Sequence, residues 1–204
     1  MRHFWDMRIL LAAAFLAMAE TTLAACPMPA DVKAELEGLI TRAQTAENFH
    51  DGRQVSGEMW RVWLRAPDEV AQSALDAGMM RREVFDFAGA IAEFDRLVEY
   101  CPAYAEGWNQ RAFAYYLQGG FDKALVDLDA ALALQPLHVA AQSGRALTLM
   151  NLGRIDEARE QMLIAVKNNP WLSERALLED GAPLGLKGRV PTARDCSPPH
   201  AAWA

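Results

Sequence analysis

The sequence predicts an all-α protein built from antiparallel helix pairs, and a period of 34 residues is the main observation behind this prediction. Prolines recur at this spacing at Pro102, Pro136 and Pro170, and each follows a segment with helical spacing of apolar residues. Alanines and bulky or aliphatic residues keep the same register, namely Ala90, Ala124, Ala158, Phe94, Leu128, Met162, Leu97, Ala131, Ala165, Phe87, Phe121 and Ile155. Such a repeat predicts a solenoid in which each helix pair buries its apolar face against its neighbours.

Units that begin at Ala71, Ala105 and Val139 give a register that resembles the tetratricopeptide repeat family. The middle unit matches the family pattern of large, small and proline positions best, through Trp108, Ala112, Tyr115, Ala124, Leu128, Ala131 and Pro136. The outer units match through Gly78, Ala90, Phe94, Pro102, Ala146, Ala158, Met162, Ala165 and Pro170, and they depart at Ala74, Arg81, Gln142 and Leu149. The resemblance implies a right-handed superhelical solenoid over residues 71–172.

The segments on both sides of the repeats predict ends for the solenoid. Residues 30–46 and 53–65 have amphipathic patterns, and Trp60 and Trp63 lie one period before Phe94 and Leu97. We therefore expect residues 26–70 to be a divergent helix pair that caps the first of three repeats, which span 71–104, 105–138 and 139–172. A capping helix is predicted at 173–182, and the remainder, 183–204, is expected to be disordered because it is rich in Gly, Pro and small polar residues.

The first 25 residues have the pattern of a secretory signal peptide. Arg2 and Arg8 precede an uncharged apolar run at 9–19, and small residues follow it. A helix of this run would be too short to cross a bilayer. We expect export to the bacterial periplasm, with removal of residues 1–25 and no transmembrane helix in the mature chain.

The three cysteines, Cys26, Cys101 and Cys196, leave two alternatives open. An oxidising compartment favours a disulfide, and we expect Cys26–Cys101 because Cys196 lies in the predicted tail. Residues 23–26, Leu-Ala-Ala-Cys, also resemble a bacterial lipobox, which would attach a lipid to Cys26 and anchor the protein to the envelope. Lipid and disulfide exclude each other at Cys26. The membrane is a partner only in the lipidated case.

Composition and motifs exclude several function classes. The net charge of −7 and the pI of about 5.1 argue against nucleic acid as a partner. The sequence has no nucleophile elbow, zinc-protease motif, phosphate-binding loop or metal-spaced Cys/His cluster, so we expect no catalytic residues, metal or cofactor. His50 and His138 are expected to be solvated surface residues. An all-helical enzyme or ligand carrier with an unrecognised pocket stays an alternative.

The resemblance implies that the first helix of each repeat lines a concave groove that binds another protein or a peptide. The groove positions of this sequence with the most suitable side chains are Met79, Arg82, Asn109, Phe113, Tyr116, Ser143, Leu147 and Met150. An Asn offers a donor and an acceptor to a peptide backbone, and Met and aromatic side chains offer adaptable apolar contact. We therefore expect a non-catalytic binding module of the bacterial envelope, or alternatively a lipid-anchored assembly scaffold there.

Overall fold

Helices follow one another along the chain from Lys33 to Leu178. The structure is a computed structural model that describes residues 25–185, so the predicted signal segment and most of the predicted tail lie outside the described residues. The α-helices are α1 Lys33–Thr45, α2 Phe49–Trp63, α3 Glu69–Glu83, α4 Phe87–Tyr100, α5 Ala105–Leu117, α6 Phe121–Leu134, α7 Val139–Asn151 and α8 Ile155–Asn168, and a 3-10 helix spans Ser173–Leu178. Residues 25–185 contain no strand, and the predicted all-α class is confirmed.

Helices α3 to α8 form three consecutive pairs, and both helices of each pair have a buried small residue at the repeated position. These residues are all buried, namely Gly78, Ala112, Ala146, Ala90, Ala124 and Ala158. A Cβ atom on Gly78 would overlap the ring of Phe94 on α4. The two helices of a pair can therefore pack closely, because these repeated positions carry little or no side chain. The sequence register predicts this close packing.

The turn inside each pair also repeats, with one residue in the left-handed backbone region. Gly119 and Gly153 have φ angles of 76° and 75°, and Phe85 has a φ angle of 63° at the equivalent place in the first pair. Glycine adopts this conformation without strain, but a bulky residue does not. The ring of Phe85 is 80% exposed, so burial of the side chain does not compensate for the strained backbone.

Side chains connect successive pairs at two repeated places. Trp108 Nε1 donates to the carbonyl oxygen of Pro102 at 2.9 Å, and Gln142 Nε2 donates to that of Pro136 at 2.7 Å. Arg111 donates from Nε to Asp127 within its own pair and from Nη1 to Asp95 of the preceding pair, both at 2.7 Å. These bonds join each repeat to the one before it and thereby fix the stacking.

The N-terminal pair α1–α2 does not stack before α3, which differs from the predicted cap. Its buried residues share a core with Val139 and Ala140 of α7, and Trp171 and Leu172 pack against the same core. Three bonds of 2.8 Å attach it to the far end of the chain, from Gln44 Nε2 to Lys167 O, from Asn169 Nδ2 to Ser56 Oγ, and from Trp171 Nε1 to Ala43 O.

The contacts of Trp63 belong to this placement. Trp63 stands one period before Leu97, and the next two units have Ala131 and Ala165 at this place; all four residues are buried. Trp63 stacks on the imidazole of His138, with 4.4 Å between ring centroids, and so joins α2 to the residue that precedes α7.

The C-terminal end also differs from the prediction. The expected capping helix is a 3-10 helix of six residues, Ser173–Leu178, and the chain then turns back through Gly181, whose φ angle is 86°. Leu184, which the sequence assigns to the disordered tail, is 1% exposed and packs against the core of α7 and α8. Arg159 Nε donates to the Leu184 carbonyl oxygen at 2.9 Å and fixes this segment in place.

Candidate functional site

A cavity of about 310 Å³ lies between the N-terminal pair and the face formed by α3, α5 and α7. Five of the eight predicted groove residues line it, namely Met79, Arg82, Asn109, Phe113 and Ser143. The opposite wall consists of residues that the groove prediction missed, chiefly Met59, Trp60, Trp63, Trp171 and Glu174. The structure therefore replaces the predicted open groove by a partly covered cavity.

The other three predicted groove residues do not reach this cavity. Leu147 is 3% exposed in the core that joins α7, α8 and Leu184, and Tyr116 and Met150 pack against the same core. The Tyr116 hydroxyl accepts a hydrogen bond from Asn151 Nδ2 at 3.0 Å. The C-terminal segment covers this end of the array, so these residues are part of the core rather than of a groove.

Arg82 brings a positive charge to the cavity wall. Its guanidinium donates to Gln110 Oε1 and lies 4.8 Å from the centroid of the Phe113 ring. Neither contact neutralises the charge. Burial lowers the pKa of Arg82, and the negative charges of Glu106 and Glu83 oppose that lowering. A half-buried guanidinium with several N–H donors can also donate to an anion in the cavity.

A buried hydrogen-bond network organises the wall behind Arg82. The Glu106 carboxylate accepts from Asn109 Nδ2 at 3.1 Å and also from Gln110 Nε2, and it lies 2.7 Å from His138 Nε2. His138 Nδ1 accepts from the backbone N–H of Ala141 at 3.2 Å. The neutral tautomer that donates from Nε2 to Glu106 fits both contacts.

This network corrects one expectation, because His138 is 1% exposed and is not a solvated surface residue. Its position directly before α7 lets the imidazole close the first turn of that helix. The sequence gives a weak signal for the pairing, since Glu106 lies 32 residues before His138 and thus almost one repeat period away.

Two polar atoms of residues that line the cavity are buried without a hydrogen-bond partner in the described part of the chain. They are Asn109 Oδ1 and Trp63 Nε1, and their residues are 1% and 6% exposed. Asn109 Nδ2 is already bonded to Glu106, so the orientation of the amide leaves the acceptor atom unpaired. Buried polar groups are usually paired, so an unsatisfied acceptor and an unsatisfied donor on residues of one cavity wall are the groups that a bound ligand could satisfy.

Burial changes the pKa of two groups near the cavity wall. The Tyr104 hydroxyl donates to the Trp63 carbonyl oxygen at 2.6 Å, and burial raises the pKa of Tyr104 well above its usual value. Burial also raises the pKa of Glu174, which lines the cavity, although Ser173 Oγ donates to its carboxylate at 3.0 Å.

The structure bonds Cys26 to Cys101, with 5.2 Å between the two Cα atoms. This distance lies in the ordinary range for a disulfide. Cys101 is buried directly after α4, and Cys26 packs against the same core, which includes Ala71 and Leu75 of α3. The described conformation is the bridged one, in which Cys26 has no free thiol for a lipid. Oxidation in solution and lipidation both stay predictions.

Two further searches cover residues 25–185 only. No three His, Cys, Asp or Glu side chains in this range are placed to hold a metal ion. No helix in the same range combines the length and the apolar character that are needed to cross a membrane.

Comparison with known proteins supports the repeat assignment. A TPR repeat-containing protein of Rhizobium etli is 36% identical over 64 residues, which is 31% of each chain. A tetratricopeptide repeat protein 36 homolog of Nematostella vectensis is 36% identical over 64 residues, or 31% of this chain and 35% of the relative. Protein FlbA of Caulobacter vibrioides is 32% identical over 106 residues, or 50% of this chain and 18% of that protein. No family model matches the chain.

The chain thus covers between 18% and 35% of the length of these curated relatives. Stacked helix pairs define the class of the fold as a helical-repeat solenoid. The period of 34 residues and the similarity to two relatives that are named as tetratricopeptide repeat proteins confirm the resemblance expected from the sequence.

Proposed function

We propose that this chain is a non-catalytic module that binds another protein or a peptide through the cavity on its concave face, and that it acts in the bacterial periplasm. The cavity is the main support, because it gathers apolar, cationic and amide groups from α3 and α5, the helices to which the family resemblance assigns a binding surface. The names of two relatives describe tetratricopeptide repeat proteins and add support for a binding rather than a catalytic role.

Affinity purification from the native envelope, followed by mass spectrometry, tests the binding proposal. The test variant replaces two cavity residues, Met79→Ala with Arg82→Ala, and the control is Arg96→Ala, because the Arg96 side chain is 73% exposed on α4. We expect specific partners to disappear with the double variant and to remain with the control. Specific partners that all survive the double variant would show that the cavity is not the binding surface.

Localisation needs its own test, because binding does not depend on it. We propose export by the segment that precedes Cys26. Osmotic-shock fractionation should release a protein whose intact mass lacks residues 1–25 and carries no lipid. A full-length mass in the cytoplasmic fraction would refute export, and a diacylglyceryl mass on Cys26 in the membrane fraction would establish the lipid-anchored alternative.

A further inference from the structure

The cavity has the chemistry of a small-molecule site, in addition to its proposed role in binding a protein or peptide. Its walls come from four helices and from residues 169–174, and they enclose about 310 Å³. This volume lies at the lower end of the range for small-ligand pockets.

The polar groups specify what a ligand must offer. Arg82 supplies a positive charge. Its guanidinium contacts the uncharged Gln110 and Phe113 directly, and the carboxylates of Glu106 and Glu83 act on it without a direct contact. The unpaired Trp63 Nε1 needs an acceptor, and the unpaired Asn109 Oδ1 needs a donor. A carboxylate satisfies the first two requirements, because one oxygen can face the guanidinium and the other can accept from the indole. The third requirement calls for an N–H or O–H group beside that carboxylate.

The sign of the nearby charge favours an ammonium group as that donor. Asn109 Nδ2 is bonded to the buried carboxylate of Glu106, so the donor position lies next to a negative charge. The remaining walls are apolar and aromatic, through Met59, Trp60, Met79, Phe113, Trp171 and Leu172. Such walls accept a bulky side chain and would leave a small or charged one poorly packed.

We propose that the cavity binds a free α-amino acid with a bulky apolar side chain, with its carboxylate at Arg82 and Trp63 and its ammonium group at Asn109. This inference goes beyond protein binding and stands without it, because it concerns the purified chain and a small ligand alone.

Isothermal titration of the full chain with L-phenylalanine tests the proposal, and the quenching of tryptophan fluorescence provides a second signal, since Trp60, Trp63 and Trp171 line the cavity. Two analogues are matched controls. L-phenylalaninamide lacks the carboxylate, and 3-phenylpropionate lacks the ammonium group. We expect each analogue to bind at least about tenfold more weakly, which corresponds to about 1.4 kcal/mol.

The variant Arg82→Met separates recognition from folding. It keeps the length of the side chain but removes the charge, so it should weaken L-phenylalanine about tenfold or more and remove the preference over L-phenylalaninamide. Arg96→Met is the control with an exposed arginine outside the cavity and should change neither affinity. If Arg82→Met loses its helical circular dichroism, the two analogues on the unaltered chain decide the question by themselves.

Two results with the free amino acid would overturn the inference. One is the absence of a heat signal when L-phenylalanine is added up to about 10 mM, where even weak binding is visible. The other is equal affinity for L-phenylalanine and L-phenylalaninamide. A longer peptide that ends in phenylalanine offers the same carboxylate without an adjacent ammonium group. Tighter binding of that peptide than of L-phenylalanine would assign the cavity to a protein end and would support the proposed function while refuting the amino acid.

Discussion

Phe85 shows how a single residue can depart from a repeat that is otherwise regular. The two equivalent turns have glycine with a positive φ angle, whereas Phe85 adopts a φ angle of 63° with an exposed ring. A non-glycine residue in this region raises the free energy of the native state by roughly 1–2 kcal/mol. Strain of this kind persists where the side chain has a use.

We predict that Phe85→Gly raises the free energy of unfolding by about 0.5–1 kcal/mol, because relief of the strained backbone exceeds the added flexibility of the unfolded chain. Urea denaturation checks this value. The control is Val84→Gly, since Val84 is also exposed but has an ordinary φ angle of −94°. That control should lower stability, and a Phe85→Gly protein that is no more stable than its parent would contradict the assigned strain.

Glu174 carries a pH dependence of known sign. Burial raises its pKa above the ordinary value of 4.5, so the unfolded state releases its proton at a lower pH than the folded state does. The contribution of Glu174 to the free energy of unfolding is therefore most favourable below pH 4.5, and it is lost as the pH rises through the pKa that Glu174 has in the folded state.

Glu174→Gln should accordingly gain stability relative to the parent as the pH rises, in urea titrations at pH values on both sides of 4.5. Glu157→Gln is a control of opposite sign, because a hydrogen bond from Arg154 lowers the pKa of Glu157. That variant should lose stability relative to the parent at neutral pH and approach it in acid. Parallel profiles for the two variants would refute the burial of Glu174.

At the level of helices, the contact between α2 and Trp171 is one of those that hold the N-terminal pair in its place. A Cβ atom on Gly52 would overlap the Trp171 ring, whereas nothing lies near the equivalent atom on Gly57 of the same helix. The two glycines therefore form a matched pair. Gly52 permits the close approach of the Trp171 ring to α2, whereas Gly57 only lowers the stability of the helix.

Gly52→Ala should lower the free energy of unfolding by about 1–3 kcal/mol, as expected for overpacking, and should break the bond from Trp171 Nε1 to Ala43 O. Gly57→Ala should raise it by about 0.5–1 kcal/mol through helix propensity. Chemical denaturation, with indole proton exchange for Trp171, measures both effects. Equal stabilisation by the two substitutions would mean that α2 does not pack on Trp171.

The sequence predicts the three repeats better than it predicts their surroundings, and the reason is physical. Small residues such as Ala124 and terminators such as Pro136 act within one unit or between neighbours, so their period is visible in the chain. The placement of α1–α2 depends on contacts such as that of Gln44 with Lys167, 123 residues away. No local pattern encodes such a distance.

The candidate site was therefore predicted in part. The repeat register supplies Met79, Arg82, Asn109, Phe113 and Ser143, because they belong to the first helices of the repeats. Trp63 and Trp171 come from outside the repeats and could not be assigned to the site. The hydrogen bonds of Arg111 and Arg145 do have a signal in the sequence. Asp95, Arg111 and Asp127 are spaced by 16 residues, and so are Asp129, Arg145 and Gln161.

At the level of the whole molecule, the disulfide closes a loop of large span. Cys26 and Cys101 are separated by 75 residues, and removal of such a bridge lowers stability by about 2–4 kcal/mol. We predict this loss for Cys26→Ser and for reduction of the parent, with thermal unfolding as the measurement. Cys196→Ser should leave stability unchanged. Alkylation of all three thiols in the unreduced, denatured protein would exclude the bridge.

The attachment of α1 to residues near α8 has a consequence for how the molecule comes apart. In an open array each repeat touches only its neighbours, so unfolding can begin at either end and proceed stepwise. Here α1 is bound to the end of α8 by the hydrogen bond from Gln44 to Lys167, and to the residues after α8 by the hydrogen bond from Trp171 to Ala43. Neither end can fray without opening the other, and the chain should melt as one cooperative unit with little end-first exchange of amide hydrogens.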